Sequence, residues 1–400
     1  MFASRKVKVI GVDISQHAVD TINRGGIHIV EPELDMIVRA AVTDGWLRAT
    51  TTAEPADAFL IAVPTPFHGD HEPDISYVKA ATESIAPVLK KGDIVILEST
   101  SPVGTTERIV KWLSQWRKDL VIASNDSDVC DVYVAYCPER VLPGQVVREL
   151  VENDRIIGGI NPASSKRAQE VYRVFVQGEL MLTDARTAEM AKLTENAYRD
   201  VNIAFANELS LICDKLDINV WELIRFANHH PRVNILQPGP GVGGHCIAVD
   251  PWFIVNKTPE QARLIRTARE VNDSKPEWVI RKVQAQIDAL TAGGKSKQDF
   301  RIACFGLAFK PNIDDLRESP SLDITLRLAG LYPGQVVAVE PNIEEAPAKL
   351  AKAGVRLMTQ QEALERADVL LMLVDHAEFK ETIPEFRTEQ RLVDAKGIWA

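Results

Sequence analysis

Short apolar runs and helical patterns alternate along residues 1–184. The runs are continuous and rich in β-branched residues, which is typical of strands that are buried on both faces of a parallel sheet. Such alternation indicates βαβ units and a doubly wound α/β sheet. We predict strands at Val7–Val12, Ala58–Val63, Ile94–Leu97 and Val132–Ala135, and helices at His17–Asn23 and near Tyr77–Leu89.

The pattern changes at residue 185. The segment Thr187–Leu216 contains neither proline nor glycine and keeps a helical period, so we predict one long connecting helix. A polar, glycine-containing linker follows at Thr291–Asp299. Residues 185–294 are therefore expected to form a helical domain. Its other predicted helices are Val220–Asn228, Pro259–Asp273 and Glu277–Leu290.

Strand-like runs return after residue 295 and predict a second, smaller α/β domain over residues 295–400. Open α/β sheets bind ligands at the carboxyl ends of their strands. Two such domains that flank a helical domain predict two ligands facing each other across a cleft. The strands are expected at Ile302–Phe305, Val336–Val339, Val369–Val374 and Leu392–Val393.

The amino-acid composition argues against a nucleic-acid-binding, a disulfide-stabilised and a membrane-spanning protein. The net charge of −10 argues against a nucleic-acid partner, which requires a basic surface. The five cysteines are odd in number and contain no CxxC pair, which argues against a disulfide framework and a zinc site and favours a cytoplasmic setting. We find no apolar run of about 18 residues, so no membrane span is expected.

Asp13 lies at the end of the first predicted strand. Such an acidic residue binds the adenosine ribose hydroxyls in NAD folds, and it normally follows a GxGxxG turn by about 20 residues. Only 12 residues precede Asp13, and none of them forms such a turn. Either this is not an NAD fold or the first βα unit is missing. The GPGVGG string at residues 239–244 is no substitute, because a helical region precedes it and a His-Cys pair follows it.

Cys246 follows this glycine-rich string and is accompanied by His245 and Asp250. Gly243 and Gly244 remove side-chain bulk, so a substrate could approach the backbone and the thiol closely. The alternative is a small buried cysteine beside a glycine turn. The polar neighbours favour a nucleophile.

The long predicted helix carries polar residues at spacings of three and four, which place them on one face. A solvated polar stripe is the alternative interpretation. The neighbouring faces are apolar, however, so a lysine and an asparagine held there need a partner or a function. The stripe consists of Lys192, Asn196, Arg199 or Asp200, Ile203 and Asn207.

Four polar loops follow predicted strands, where an α/β sheet presents its ligand-binding residues. Each could be an ordinary surface loop, but three in succession in the first domain favour a site. In the last domain, lysine would supply a point charge for phosphate and arginine a two-pronged donor. The loops carry Val63, Pro64 and Thr65; Ser99, Thr100 and Thr105; Glu139 and Arg140; and Lys310 and Arg317.

Six motifs in this order resemble the UDP-glucose/GDP-mannose 6-dehydrogenase family: AVPTP, STSPVGTTE, CPERVLPG, KLTEN, GVGGHC and FKPNIDDLRES. The sequence GGHCIAVDP resembles the N-acetylhexosamine branch. The resemblance implies an NAD-binding Rossmann-like domain over residues 1–184. It also implies a central helical dimerisation domain over residues 185–294 and a UDP-sugar-binding Rossmann-like domain over residues 295–400.

The resemblance also implies roles for individual residues. Cys246 would be the nucleophile, Lys192 and Asn196 would steady an oxyanion or a water, and Asp250 would assist. Glu139 and Thr100 would position the hydrolytic water or reacting groups. Arg232 would reach the substrate of a partner subunit in a homodimer. The implied cofactor residues are Asp13, Val63, Pro64, Thr65, Ser99, Thr100 and Arg317. The implied substrate residues are Glu139, Arg140, Lys192, Asn196, Arg232, Gly243, Gly244, His245 and Lys310.

The implied reaction is an NAD-dependent, four-electron oxidation of UDP-N-acetyl-D-mannosamine at C6, through a thioester, for a surface polysaccharide such as enterobacterial common antigen. Covalent catalysis would divide this oxidation into easier steps, and a nearby ammonium would favour the thiolate. The family begins with a glycine turn, so we expect an N-terminal truncation of about 20 residues and weak NAD binding. The alternatives are UDP-glucose or UDP-N-acetylglucosamine as substrate, or an inactive UDP-sugar-binding remnant.

Overall fold

The computed structural model describes residues 1–27, 33–69, 71–141, 144–244, 246–296, 299–381 and 383–399. The chain divides into two compact units. Unit 1 comprises Met1–Glu195 and Trp252–Lys257. Unit 2 comprises Asn196–Pro251 and Thr258–Ala400. Within the described residues, no helix is long and apolar enough to cross a membrane.

Unit 1 contains a five-stranded sheet, a two-stranded parallel sheet and a short antiparallel hairpin. The two-stranded sheet pairs β1 (Val9–Val12) with β2 (Leu47–Thr50), and the hairpin pairs β4 (Phe67–His68) with β5 (Glu72–Pro73). The five-stranded sheet has the order β3-β6-β7-β8-β9 and is parallel except between β7 and β8. Its strands are β3 (Ala58–Ile61), β6 (Ile94–Leu97), β7 (Tyr133–Tyr136), β8 (Arg155–Gly159) and β9 (Leu180–Asp184).

Helices cover both faces of this sheet because successive strand residues point to opposite sides. Val95 and Leu97 of β6 belong to one hydrophobic cluster, whereas Ile94 and Ile96 belong to another. Short 3-10 helices also occur at Ala3–Arg5 and Ala86–Val88. The helices are α1 (Gln16–Asn23), α2 (Leu34–Thr43), α3 (Ser76–Ile85), α4 (Thr105–Trp116), α5 (Val146–Glu152) and α6 (Pro162–Tyr172).

Four helices lie between the two large sheets in the sequence. They are α7 (Ala185–Leu216), α8 (Val220–Ala227), α9 (Asp250–Lys257) and α10 (Arg263–Ala292). The prediction of two helices across residues 259–290 was wrong, because α10 is continuous through Pro276. Proline removes one backbone hydrogen bond. Buried residues from Ala268 to Leu290 lie before and after Pro276, so packing holds α10 in place across the proline.

The sheet of unit 2 is parallel throughout and has the order β12-β11-β10-β13-β14. Its strands are β10 (Ile302–Phe305), β11 (Val336–Val339), β12 (Arg356–Leu357), β13 (Val369–Met372) and β14 (Arg391–Asp394). The helices around it are α11 (Pro320–Leu331), α12 (Ala348–Lys352), α13 (Gln360–Arg366) and α14 (Ala377–Lys380). The predicted α/β class with two Rossmann-like, doubly wound domains is confirmed.

Candidate functional site

The loops after β3 and β6 are joined by side-chain hydrogen bonds in unit 1. The Ser99 hydroxyl accepts a hydrogen bond from the Val63 amide at 2.8 Å and donates one to the Val63 carbonyl at 2.7 Å. The Thr65 hydroxyl donates to the Thr100 carbonyl at 2.5 Å. Pro64 lies exposed within the first loop. Five of the predicted cofactor residues therefore lie together at the carboxyl ends of two parallel strands.

Asp13 follows β1 and is exposed. Its carboxylate accepts a hydrogen bond from the Ser15 amide at 2.8 Å, just before α1. This contact orients the carboxylate at the carboxyl end of a parallel strand, where ligands bind in α/β sheets. This is the position that the predicted role of Asp13, as an acceptor for ribose hydroxyl groups, requires.

Glu139 lies after β7 and is held by two donors. Its carboxylate accepts a hydrogen bond from the Arg140 amide at 2.6 Å and one from the buried guanidinium of Arg155 at 3.2 Å. The Arg155 guanidinium also lies over the ring of Tyr172, at 4.9 Å from the ring centroid. The Tyr172 hydroxyl in turn donates to Glu98 at 2.5 Å, and burial raises the pKa of Glu98. The predicted catalytic carboxylate is thus supported by a buried polar cluster.

Within unit 1, two carboxylates join the first part of α7 to neighbouring loops. Glu195 accepts a hydrogen bond from the Arg140 side chain at 2.6 Å. The buried Glu189 accepts from the Gly104 amide at 2.6 Å and from the Thr106 amide at 2.8 Å, at the beginning of α4. Burial raises the pKa of Glu189, and the hydrogen bonds from Thr106 and Gly104 oppose this shift. Lys192 is half-buried between these two attachments.

In unit 2, the predicted catalytic residues Asn196 and Asp250 are in contact. The Asn196 side-chain amide donates to the Asp250 carboxylate at 2.5 Å, and both residues are buried. The Asp250 amide donates to the Cys246 carbonyl at 2.9 Å and closes a turn that contains the cysteine. His245 was predicted to contact substrate but lies outside the described residues.

Cys246 is the exposed cysteine among the five, all of which occur as thiols. Burial raises the pKa of the Cys137 and Cys304 thiols to about 12, which leaves them protonated and unreactive at neutral pH. Cys213 is also buried, and burial raises the pKa of the half-buried Cys130. Exposure therefore selects Cys246 as the nucleophile candidate.

The glycines before Cys246 allow close packing within the protein itself. A Cβ atom on Gly243 would lie 2.4 Å from the Glu318 carbonyl oxygen and 2.9 Å from Phe309 Cβ. Gly244 has a φ of +82°, and a Cβ atom there would lie 3.1 Å from the Phe309 ring. We expected the absence of side chains to admit a substrate, whereas here it admits the loop after β10.

That loop carries both cationic residues predicted in the last domain. Lys310 is half-buried. The Arg317 guanidinium contacts the Asp315 carboxylate at 2.6 Å, and this hydrogen bond raises the pKa of Arg317, with a smaller electrostatic contribution from Cys246. The predicted cofactor residue Arg317 is thus a cation near Cys246. Arg232 is exposed, and its amide donates to His230 Nδ1 at 3.3 Å.

The polar stripe on α7 was predicted, but its partners in a buried polar network with α10 were not. Asn207 accepts a hydrogen bond from the Gly239 amide at 2.9 Å and donates to Asn272 at 2.8 Å. Asn272 donates to Asp200 at 2.8 Å, which also forms an ion pair with the buried Arg269 at 2.6 Å. The network anchors the start of the glycine-rich segment. The signal in the sequence was a set of polar residues spaced three apart in α10. Other charged residues surround them in the sequence, so the spacing did not stand out.

The predicted site residues are divided between the two units. Among the described residues, no group of three His, Cys, Asp or Glu side chains could hold a metal ion. Unit 1 contains Asp13, Val63, Pro64, Thr65, Ser99, Thr100, Glu139, Arg140 and Lys192. Unit 2 contains Asn196, Arg232, Gly243, Gly244, Cys246, Asp250, Lys310 and Arg317.

Comparison with known families gives three consecutive matches. The NAD-binding domain of the UDP-glucose/GDP-mannose dehydrogenase family matches residues 1–176. The central domain of the same family matches residues 186–274, and its UDP-binding domain matches residues 303–400. Together these matches cover most of the chain.

Individual relatives are similar over the whole chain. The UDP-N-acetyl-D-mannosamine dehydrogenase of Escherichia coli K12 is 63% identical over 400 residues, which are 100% of this chain and 95% of that protein. An NDP-N-acetyl-D-galactosaminuronic acid dehydrogenase of Ralstonia nicotianae is 60% identical over 100% of this chain and 92% of its own length. The structure of the UDP-D-ManNAc dehydrogenase from Pyrococcus horikoshii is 37% identical, with a TM-score of 0.86 over 99% of this chain and 91% of that one.

Proposed function

Because the chain belongs to the UDP-glucose/GDP-mannose dehydrogenase family and is an NAD-dependent oxidoreductase, we propose that it oxidises UDP-N-acetyl-D-mannosamine at C6 to the uronic acid. The observation that carries the proposal is Cys246, an exposed thiol in a turn held by the buried Asn196–Asp250 pair. The similarity to UDP-N-acetyl-D-mannosamine dehydrogenases across the whole chain supports this substrate.

The residues of unit 1 fit NAD. Asp13 offers an exposed carboxylate for ribose hydroxyls, and the loops with Val63, Pro64 and Thr65 and with Ser99 and Thr100 would hold the rest of the dinucleotide. When bound, NAD accepts a hydride in each of the two oxidations. We assign Arg317 to the cofactor side as well, and its charge near Cys246 would also favour a thiolate.

Cys246 would carry the covalent chemistry. The C6 alcohol first loses a hydride and a proton and becomes an aldehyde. The thiolate sulfur then forms a bond to the aldehyde carbon as the carbonyl π electrons move to oxygen. The resulting hemithioacetal oxyanion re-forms the carbonyl with loss of a second hydride, which leaves a thioester. Water attacks the thioester carbon, the carbon–sulfur bond breaks, and the acid and the Cys246 thiol are released.

The other predicted residues would act on charge and position. Lys192 and Asn196 would stabilise the oxyanion of the tetrahedral species. Asp250 accepts a hydrogen bond from the Asn196 side-chain amide and would thereby orient it. Glu139 and Thr100 would position the hydrolytic water. Arg140, Lys310 and His245 would bind the UDP-sugar, and Arg232 would reach the substrate of a partner subunit. Gly243 and Gly244 would bind the UDP-sugar through backbone atoms only, because the loop after β10 fills the space at their Cβ positions.

We also propose the setting in which the enzyme acts. Thiols at all five cysteines suit a reducing compartment such as the cytoplasm. A homodimer is supported by an apolar stripe on α7 that consists of Tyr198, Phe205 and Ile212. The uronic acid would be a precursor of a surface polysaccharide such as enterobacterial common antigen.

The deciding experiment measures NADH formed per UDP-sugar consumed, with UDP-N-acetylmannosamine, UDP-N-acetylgalactosamine, UDP-N-acetylglucosamine and UDP-glucose. We expect about two NADH per UDP-N-acetylmannosamine, since a four-electron oxidation requires two hydride acceptors. Cys246→Ala should lower acid formation by a factor of about 1,000. Cys130→Ala is the matched control and should leave it unchanged.

Three other results of this experiment would each change the proposed function in a specific way. One NADH per sugar with release of the aldehyde would contradict the covalent step. Preference for UDP-N-acetylgalactosamine would move the assignment towards the Ralstonia relative. Binding of UDP-sugars without turnover would indicate a binding remnant instead of an enzyme.

A further inference from the structure

Glu340 lies immediately after β11, and its side chain is fully buried. Its Oε2 accepts hydrogen bonds from the Leu307 amide at 2.7 Å and the Ala308 amide at 3.1 Å. These two amides begin the loop that follows β10. An unpaired backbone amide in the protein interior is costly, so the carboxylate fixes the path of the chain there.

His376 holds the other end of the same loop. Its fully buried ring accepts a hydrogen bond at Nδ1 from the Asn312 amide at 3.0 Å. A backbone amide can only donate, so the ring proton lies on Nε2. That nitrogen is 3.1 Å from Glu340 Oε2 and donates to it. The Asn312 side chain also accepts from the Ala377 amide at 2.8 Å.

Residues 307–312 are thus held at both ends by hydrogen bonds to one buried pair, Glu340 and His376. Lys310 lies inside this segment, two residues before Asn312. Phe309 is its neighbour and packs against the glycines that precede Cys246, at 3.1 Å from the Cβ position of Gly244. The pair therefore supports two parts of the proposed site through one short segment of backbone.

We infer that Glu340 and His376 are positioning residues that set the place of Lys310 and of the glycine turn before Cys246. Neither contacts the substrate in this proposal, which rests on the proposed function of Lys310 and Cys246. A buried carboxylate–imidazole pair adds little stability on balance, because desolvation offsets its attraction. The specific effect of the pair is that the backbone amides of residues 307, 308 and 312 each donate to an acceptor at a fixed position.

Two substitutions of His376 separate positioning from stability. In His376→Asn the side-chain oxygen replaces Nδ1 and can still accept from the Asn312 amide. In His376→Gln the side-chain amide replaces Nε2 and can still donate to Glu340, but the Asn312 amide loses its acceptor. Both variants remove the ring, so a purely structural role predicts similar effects for the two.

We expect His376→Gln to raise the KM for the UDP-sugar by about ten-fold and to change kcat by less than about two-fold, as for one lost hydrogen bond that acts on binding. His376→Asn should keep KM within about three-fold of the natural protein. The alkylation rate of Cys246 by iodoacetamide, read by peptide mass spectrometry, should change in His376→Gln and stay near the natural value in His376→Asn. Equal effects of the two substitutions on KM and alkylation would overturn the inference.

The readouts also distinguish this inference from the proposed function. If the natural protein oxidises no UDP-sugar, the proposed function fails, while UDP affinity and Cys246 alkylation still compare the two variants. If turnover is normal and both variants bind and react alike, only the positioning inference fails. Should His376→Gln not fold, Glu340→Gln provides the same test, because it weakens the acceptor for amides 307 and 308.

Discussion

At the scale of single residues, the orientation of the Glu139 carboxylate depends on Arg155, a cation 16 residues further along the chain. Arg155 is buried, contacts the Glu139 carboxylate at 3.2 Å, and lies over the rings of Tyr172 and Phe175. Glu139 itself is half-exposed. Arg155 therefore holds, from inside the protein, a carboxylate that reaches solvent, which would suit the proposed role of Glu139 in positioning a water.

We predict that Arg155→Met lowers the free energy of unfolding by about 2 kcal/mol, because it removes a buried cation and its hydrogen bond. Release of the acid should slow more than the first oxidation, since Glu139 loses its orientation. Urea denaturation and rapid-quench analysis measure the two effects.

Arg148→Met provides the control. Arg148 forms an exposed pair with Glu152 at 2.6 Å on α5, and its loss should leave the free energy of unfolding nearly unchanged, because solvent screens such a pair. Equal destabilisation by the two substitutions would refute the role assigned to Arg155.

At the scale of elements, α10 buries a lysine whose ammonium group contacts no carboxylate in the part of the chain that the structure describes. Lys275 donates to the Ser210 hydroxyl at 2.7 Å, and its ammonium lies 3.8 Å from the centroid of the Trp278 ring. Burial lowers the pKa of Lys275 to about 7, against a weaker opposing effect of Asp214. In the unfolded chain the same group titrates near its ordinary value of 10.5.

This difference predicts how stability depends on pH. The folded protein binds the Lys275 proton less tightly than the unfolded chain, so the cost of the buried charge is complete below about pH 7 and declines as the pH rises. Between about pH 7 and 9.5, the stability of the natural protein should therefore rise by about 3 kcal/mol relative to Lys275→Met. Urea midpoints across this range measure it.

Lys282→Met is the matched control on the same helix. Lys282 is paired with Asp214 at 2.6 Å and lies 5.8 Å from the same Trp278 ring, but it is only half-buried. Its removal should leave the pH dependence parallel to that of the natural protein. A parallel curve for Lys275→Met would show that Lys275 remains charged when buried.

At the scale of the whole molecule, the exposed apolar stripe on α7 is a feature that packing within a single chain does not explain. Tyr198, Phe205 and Ile212 are 69%, 52% and 46% exposed, and they recur every seven residues on one face of the helix. Contiguous exposed apolar surface marks an interaction site. A second copy of the chain, with its α7 against this one, would bury it.

We predict a dimer of about twice 44.3 kDa by light scattering, and a monomer for Phe205→Glu, because the new charge would be buried at the interface. Leu331→Glu is the control, since Leu331 is equally exposed at 52% on α11 and should remain compatible with the dimer. A dimer that persists in Phe205→Glu would exclude α7 as the interface.

Local periodicity determined much of the fold. The strands Ile94–Leu97, Ile302–Phe305 and Val336–Val339 were predicted with the bounds that the structure has, because buried parallel strands are uninterrupted apolar runs. The long helix α7 was predicted within two residues at its start. Strands with exposed or glycine residues were missed, such as Arg155–Gly159 and Leu180–Asp184, because their patterns are not continuous.

The sequence by itself also identified the candidate chemistry, since Cys246, Asn196 and Asp250 could be named from motifs and spacing. Only the tertiary structure decided which groups are in contact. Asn196 and Asp250 are 54 residues apart in the chain, and Glu340 and His376 are 36 apart. Hydrogen bonds and burial act through space over a few ångströms, whereas a sequence pattern records only neighbours along the chain. For that reason the support of the site by Arg155, Asn272, Glu340 and His376 emerged from the fold alone.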